Sequence, residues 1–198
     1  MKKILIIAVA LFAFNTITNA QGLQFGAKLG ANLGKVDGRS FKEEYNLSYH
    51  AGAFLEIDIN KKFGIQPEVY FNQTQTTRSS SFDDIYNQNP NAKTDLKLNY
   101  LTIPILVRYT VLNNLLTLNA GPQYSILIND NEDLLANGKS AFKKGDFALA
   151  AGAQLNLKRL RVYARYNIGL SDINDIDNQD EWKNQTLQVG LGLRLFKL

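Results

Sequence analysis

Cysteine is absent from the 198 residues, histidine and tryptophan occur once each, and there are only four prolines. Without cysteine there is no disulfide, no thiolate metal site and no cysteine nucleophile. Past the first twenty residues no apolar run approaches the length of a transmembrane helix, and mean hydropathy is only -0.20. A basic surplus is missing too. Setting Lys2 and Lys3 aside from the 22 Lys and Arg leaves 20, against 18 Asp and Glu. These cations are scattered and form no stripe, so a nucleic-acid partner has no support.

The first twenty residues read as an address. Lys2 and Lys3 form a basic start, Ile4 to Phe14 an apolar stretch, and Thr18-Asn19-Ala20 a small-residue cleavage site before Gln21. This pattern predicts a cleavable Sec-type signal peptide over 1–20, with an apolar core too short to span a bilayer as a helix. The remaining 21–198 suit one domain. An exported chain with no apolar helix is either soluble or a barrel, because a membrane leaves no other way to satisfy every backbone group.

What is present is alternation. Leu187, Val189, Leu191, Leu193 and Leu195 share one side of the last segment, while Gln188, Gly190, Gly192 and Arg194 share the other. A period of two is a strand signal. Glycine weakens a strand that faces water but fits a face turned into a narrow closed barrel. The leucine side then faces outward, and its solvent is lipid. About eight such strands are expected, at 22–34, 47–59, 63–76, 97–110, 115–128, 146–157, 160–170 and 185–197, an even number as in bacterial outer-membrane barrels. The predicted fold is all-β: a single up-and-down antiparallel transmembrane β-barrel.

The connections alternate in length. Asn60-Lys61-Lys62, Val111 to Asn114 and Lys158-Arg159 are short, whereas 35–46, 77–96, 129–145 and 171–184 are long and polar. Short periplasmic turns and long extracellular loops are the outer-membrane arrangement. Pro67, Pro104 and Pro122 fall inside predicted strands, where a missing N–H removes a ladder bond, and bulges are the expected remedy. The fourth strand is the least regular, since Leu98, Tyr100 and Leu106 stand on its inward parity.

At these same segments the chain resembles the PorT-type outer-membrane β-barrels of Bacteroidetes. The matching stretches are Gly64-Ile65-Gln66-Pro67-Glu68, Tyr100 to Tyr109, Asn119-Ala120-Gly121-Pro122-Gln123-Tyr124 and Arg165 to Ile173. The resemblance covers the whole mature chain and implies an outer-membrane barrel, with no activity assigned to most members. One departure stands out. Outer-membrane strands commonly close on an outward aromatic, whereas Phe196 falls on the inward parity, followed by Lys197-Leu198.

Several constellations invite chemistry. Lys28, Arg108, Arg161, Arg165 and Arg194 share the inward face with Glu56, Asp58 and Glu68. They read either as a lumenal network of ion pairs or as the selectivity lining of a narrow pore. At eight strands side chains fill the interior, which favours the network. His50 with Ser125 and Glu56 has the composition of a hydrolytic triad, yet nothing in their spacing demands contact. A hydrated histidine at the barrel mouth is the expectation. Asp172, Asp175 and Asp177 lie in an acidic loop with Asp180 and Glu181. They are weak candidates for a hard cation and lack the EF-hand spacing and its glycine. Tyr49, Phe63, Tyr109, Tyr124, Tyr166 and Trp182 near strand ends suit an interfacial girdle, or reflect ordinary β-propensity.

The expectation is a non-enzymatic outer-membrane protein without cofactor, monomeric, surrounded by outer-membrane lipid. Its long loops would be the contact surface for an envelope or surface protein. The alternatives are a soluble exported barrel binding a lipid-like ligand, which would turn the leucine rows inward, and a narrow selective pore.

Overall fold

Eight strands follow one another along the chain: β1 (Leu23–Asp37), β2 (Asn46–Asp58), β3 (Phe63–Thr77), β4 (Asp95–Val111), β5 (Leu116–Asn129), β6 (Gly145–Leu157), β7 (Leu160–Gly169) and β8 (Lys183–Lys197). Each pairs antiparallel with the next, and β8 returns to β1 to close the barrel. This computed structural model describes residues 22–38, 44–77, 95–112, 114–129, 143–176 and 181–197. The expected signal peptide at 1–20 lies outside the described residues. Closure leaves no strand edge, so every strand can satisfy its backbone within the wall.

The short connections are tight for local reasons. Asn60 Oδ1 accepts the backbone N–H groups of Lys62 and Phe63 at 2.9 and 2.8 Å, a side chain standing in for a backbone turn. Lys158 reverses the chain into β7 from a left-handed conformation with φ of 57°. Leu23 pairs with Ile57, and Gln24 with both Glu56 and Lys197. The start of β1 and the end of β8 therefore sit at the short-turn end.

Orientation is unambiguous. Leu191 and Ile168 are 47% and 43% exposed on the outer wall, whereas Glu68 and Arg165 are 4% and 2% exposed inside it. Leu29, Val69, Ile105, Leu118, Leu149 and Val189 continue the outward apolar surface. That orientation excludes the soluble alternative, which required the leucine rows to be buried. Inside, space is short. A Cβ on Gly26 would strike the Phe54 ring and the Leu193 carbonyl, and one on Gly52 would strike the Val69 carbonyl and Tyr70.

Two expectations need correction. The prolines carry no bulges. Pro67 lies in a gap of the β2–β3 ladder, yet Phe54↔Glu68 and Ile57↔Ile65 on either side keep one register. Between β4 and β5, Pro104↔Gln123 and Val107↔Ala120 do the same, and Pro122 stays opposite Leu149. A proline lacks only its N–H and keeps a φ compatible with a strand, so omitting local bonds suffices.

The register shifts lie elsewhere, at Asn99/Tyr100 and at Phe25/Gly26. The second one moves Phe196. Gly26 faces Arg194 but Phe25 faces Phe196, so Leu195 is the extra residue and Phe196 turns outward, 66% exposed beside Phe25. The terminal aromatic is on the lipid side after all.

Candidate functional site

The lumen is built in three tiers. At the short-turn end Glu56 receives a two-point contact from Arg161, with Nε to Oε1 and Nη2 to Oε2 both at 3.0 Å. Arg108 lies 3.5 Å from the same carboxylate and donates to Asp58 at 2.9 Å. Gln24 ties the tier together: its carbonyl accepts from Arg161 at 3.1 Å and from Arg194 at 2.9 Å, while its amide donates to Asp58 at 3.1 Å. β1, β2, β4, β7 and β8 each supply one or two of these side chains, so the tier staples the wall across the bore.

Glu68 anchors the middle tier. Arg165 grips it with both terminal nitrogens at 2.9 and 2.8 Å, Lys28 donates at 2.7 Å, and the Gln66 amide donates at 2.7 Å. The Lys28 ammonium also lies 4.5 and 4.4 Å from the ring centroids of Tyr70 and Tyr163, a favourable placement for a cation out of water. Removing one partner of so buried a cluster costs about 3–5 kcal/mol, because a charge is left uncompensated. The open space between Lys28, Phe54, Glu68 and Tyr163 is about 10 Å³, room for about one water.

The seven residues singled out from the sequence, Lys28, Glu56, Glu68, Arg108, Arg161, Arg165 and Arg194, thus fall into two groups on successive levels of one lumen. Arg194 differs from the rest. Among the described residues its guanidinium donates only to Gln24 and has no ion pair.

The upper tier holds an apolar cluster beside buried Thr74, Thr76, Asp146 and Asn184, and the sequence reading missed it. Val36, Leu96, Leu98, Tyr100, Ile173 and Trp182 are buried together at the long-loop end, with Leu127 and Ile176 against them. Ile173 and Trp182 come from the β7–β8 connection, which folds back over the bore. The signal was available: Leu98 and Tyr100 on an inward face were the chemistry of a plug, whereas Leu106 lies lower, opposite Gln66. Trp182, expected in an interfacial girdle, belongs here instead and is fully buried. Tyr49, Phe63, Tyr109 and Tyr124 do lie exposed on the outer wall, with Phe63 and Tyr109 rings 5.0 Å apart.

Asp172 holds that connection. Its Oδ1 accepts the backbone N–H groups of Asn174 and Trp182 at 3.0 and 2.9 Å, and its Oδ2 accepts from Lys143 at 3.1 Å. Partial burial pushes the carboxyl up, but those donors outweigh it and hold it below the usual carboxylate range. The carboxylate is spent on the chain itself. Asp175 is exposed, Asp177 lies outside the described residues, and no cluster of three His, Asp or Glu capable of holding a metal occurs among the described residues.

His50 corrects a further expectation. It is buried in mid-barrel rather than hydrated at the mouth, with 1% exposure. Its Nδ1 lies 2.6 Å from Asn32 Oδ1, an acceptor, so Nδ1 carries the proton and Nε2 accepts from the Tyr163 hydroxyl. Ser125 pairs with Thr102 at 3.0 Å. Both ring nitrogens are taken and the serine is elsewhere, so these residues form no triad.

Residues 19–175 match the outer membrane protein beta-barrel domain. Among solved structures the chain is similar to Ail, the attachment invasion locus protein of Yersinia pestis. Identity is 15% and TM-score 0.53, covering 88% of this chain and 99% of that one. It is also similar to the outer membrane protein OprG of Pseudomonas aeruginosa. There identity is 13% and TM-score 0.55, covering 89% of this chain and 96% of that one. At such identity the likeness concerns the fold. No curated protein sequence matches significantly.

Proposed function

The chain belongs to the outer membrane protein beta-barrel domain family, which places it in the outer membrane, and from the stretches that carry the resemblance we propose a non-enzymatic barrel of the PorT type found in Bacteroidetes. It acts as a structural or interaction protein. The observation that carries this is an apolar outer wall around a lumen closed by its own side chains. The wall is committed to lipid, and the middle of the bore is crossed by the buried side chains of Lys28, Glu68, Tyr70, Tyr163 and Arg165, which argues against a selective pore. The contact surface is then the set of long loops.

Residues 1–20 direct export through the inner membrane as a Sec-type signal peptide, leaving 21–198 as the barrel domain. Loops 77–96 and 129–145, of which 78–94 and 130–142 lie outside the described residues, offer the largest stretches for an envelope or surface protein partner. The barrel works as a monomer.

Replacing each of these loops with a short turn tests the reading. The shortened protein still assembles, seen as a heat-dependent shift in mobility on a detergent gel, but no longer captures the envelope protein that the intact chain crosslinks in outer membranes. Undiminished capture by the assembled, shortened barrel would sink the proposal.

A further inference from the structure

The short-turn end of the lumen is hollow, and its lining is lopsided in charge. A cavity of about 850 Å³ opens there, bounded by inward side chains of the lowest tier and by the three short turns. This falls within the roughly 300–1,000 Å³ typical of small-molecule sites. Six cations line it, Lys61, Arg108, Lys158, Arg161, Arg194 and Lys197, against two carboxylates, Glu56 and Asp58. Those carboxylates are already engaged by Arg108 and Arg161. The surplus charge therefore rests on Arg194 and the three lysines, none of which is ion-paired among the described residues. Arg108 Nε is buried without an acceptor.

We propose that this vestibule binds a small, multiply charged oxyanion, a phosphorylated solute rather than a neutral or apolar one. The polar lining offers little for an apolar body to bury. Planar guanidinium donors match phosphate oxygens in geometry and charge. The cavity lies on the axis of the bore rather than on the lipid-facing wall, which favours a free solute over a phospholipid headgroup. The site is at the opposite end from the loops of the proposed function. Only its compartment, the periplasm, rests on the outer-membrane reading.

Calorimetric titration of the full-length protein in a phosphate-free, uncharged detergent tests this, with inorganic pyrophosphate as probe. The expected result is saturable one-to-one binding that weakens as salt is raised. Arg194→Gln should weaken it about tenfold, as the loss of a charge-assisted contact does. Lys158→Gln, on an exposed turn, should also weaken it, whereas Lys183→Gln at the long-loop end should leave it unchanged. A heat-dependent mobility shift establishes that each variant is folded. Absence of saturable binding, or equal affinity in the folded Arg194→Gln and Lys158→Gln variants, would overturn the site. Binding retained in phosphatidylcholine nanodiscs but blocked in phosphatidylglycerol nanodiscs would assign it to a headgroup and remove the solute. None of these readouts involves a protein partner, so they stand whether or not the loop-mediated function does.

Discussion

Glu68 ties three strands together, because two cations from different strands converge on it at close range. Lys28 on β1 and Arg165 on β7 both reach its carboxylate within 2.9 Å, so β3 is tied to strands across the bore. Glu68→Gln preserves shape and removes the charge, leaving an ammonium and a guanidinium facing each other in a space that admits about one water. The expected cost is about 3–5 kcal/mol, measured as a lower urea midpoint for unfolding from lipid vesicles. Adding Lys28→Met to Glu68→Gln should recover part of that loss, since it removes the uncompensated ammonium and keeps its apolar stem.

The β7–β8 connection and the β8 terminus show how short stretches set geometry. The connection is stapled by Asp172 to two of its own backbone N–H groups and to Lys143. The carboxyl sits below its ordinary range in the folded protein. The staple's contribution is therefore complete above the unfolded value of about 4 and is lost as pH falls through the folded value. Trp182 is the single tryptophan and is fully buried beside it. Its emission should move to longer wavelength on acidification below about pH 4 and recover on neutralisation. Asp172→Ala should show the shifted emission already at neutral pH. Emission that stays constant in both cases would contradict the staple. At the other end of β8, one extra residue is enough to reverse Phe196, since a bulge shifts the alternation of every residue beyond it.

For the barrel as a whole, the governing fact is that its solvent differs on the two sides of one wall. Leu191 lies midway along β8, opposite Leu29 and Val162 on the neighbouring strands, with lipid outside. Leu191→Arg puts a charge at mid-depth and should cost about 2–4 kcal/mol, whereas the same change near either interface should cost about 0–1 kcal/mol. Vesicle unfolding titrations of Leu191→Arg and of Leu47→Arg, at the long-loop end of β2 on the outer wall, compare the two positions. Equal costs would mean that the outer wall does not face hydrocarbon.

The strand count, the wall orientation and the alternation of short and long connections were legible from residue order alone, because each depends on a period of two and on local turn chemistry. Leu187 to Leu195 opposite Gly190, Gly192 and Arg194 already specified an inverted barrel. Which lumenal charges meet could not be read that way. Lys28, Glu68 and Arg165 lie on three strands, and the stagger between strands decides which of them share a level. The apolar plug also depended on closure: Trp182 and Ile173 meet Leu98 and Val36 only once the connection folds over the bore. Periodicity acts between neighbours along the chain, whereas contacts across the lumen are set by the joint register of eight ladders, which no single segment contains.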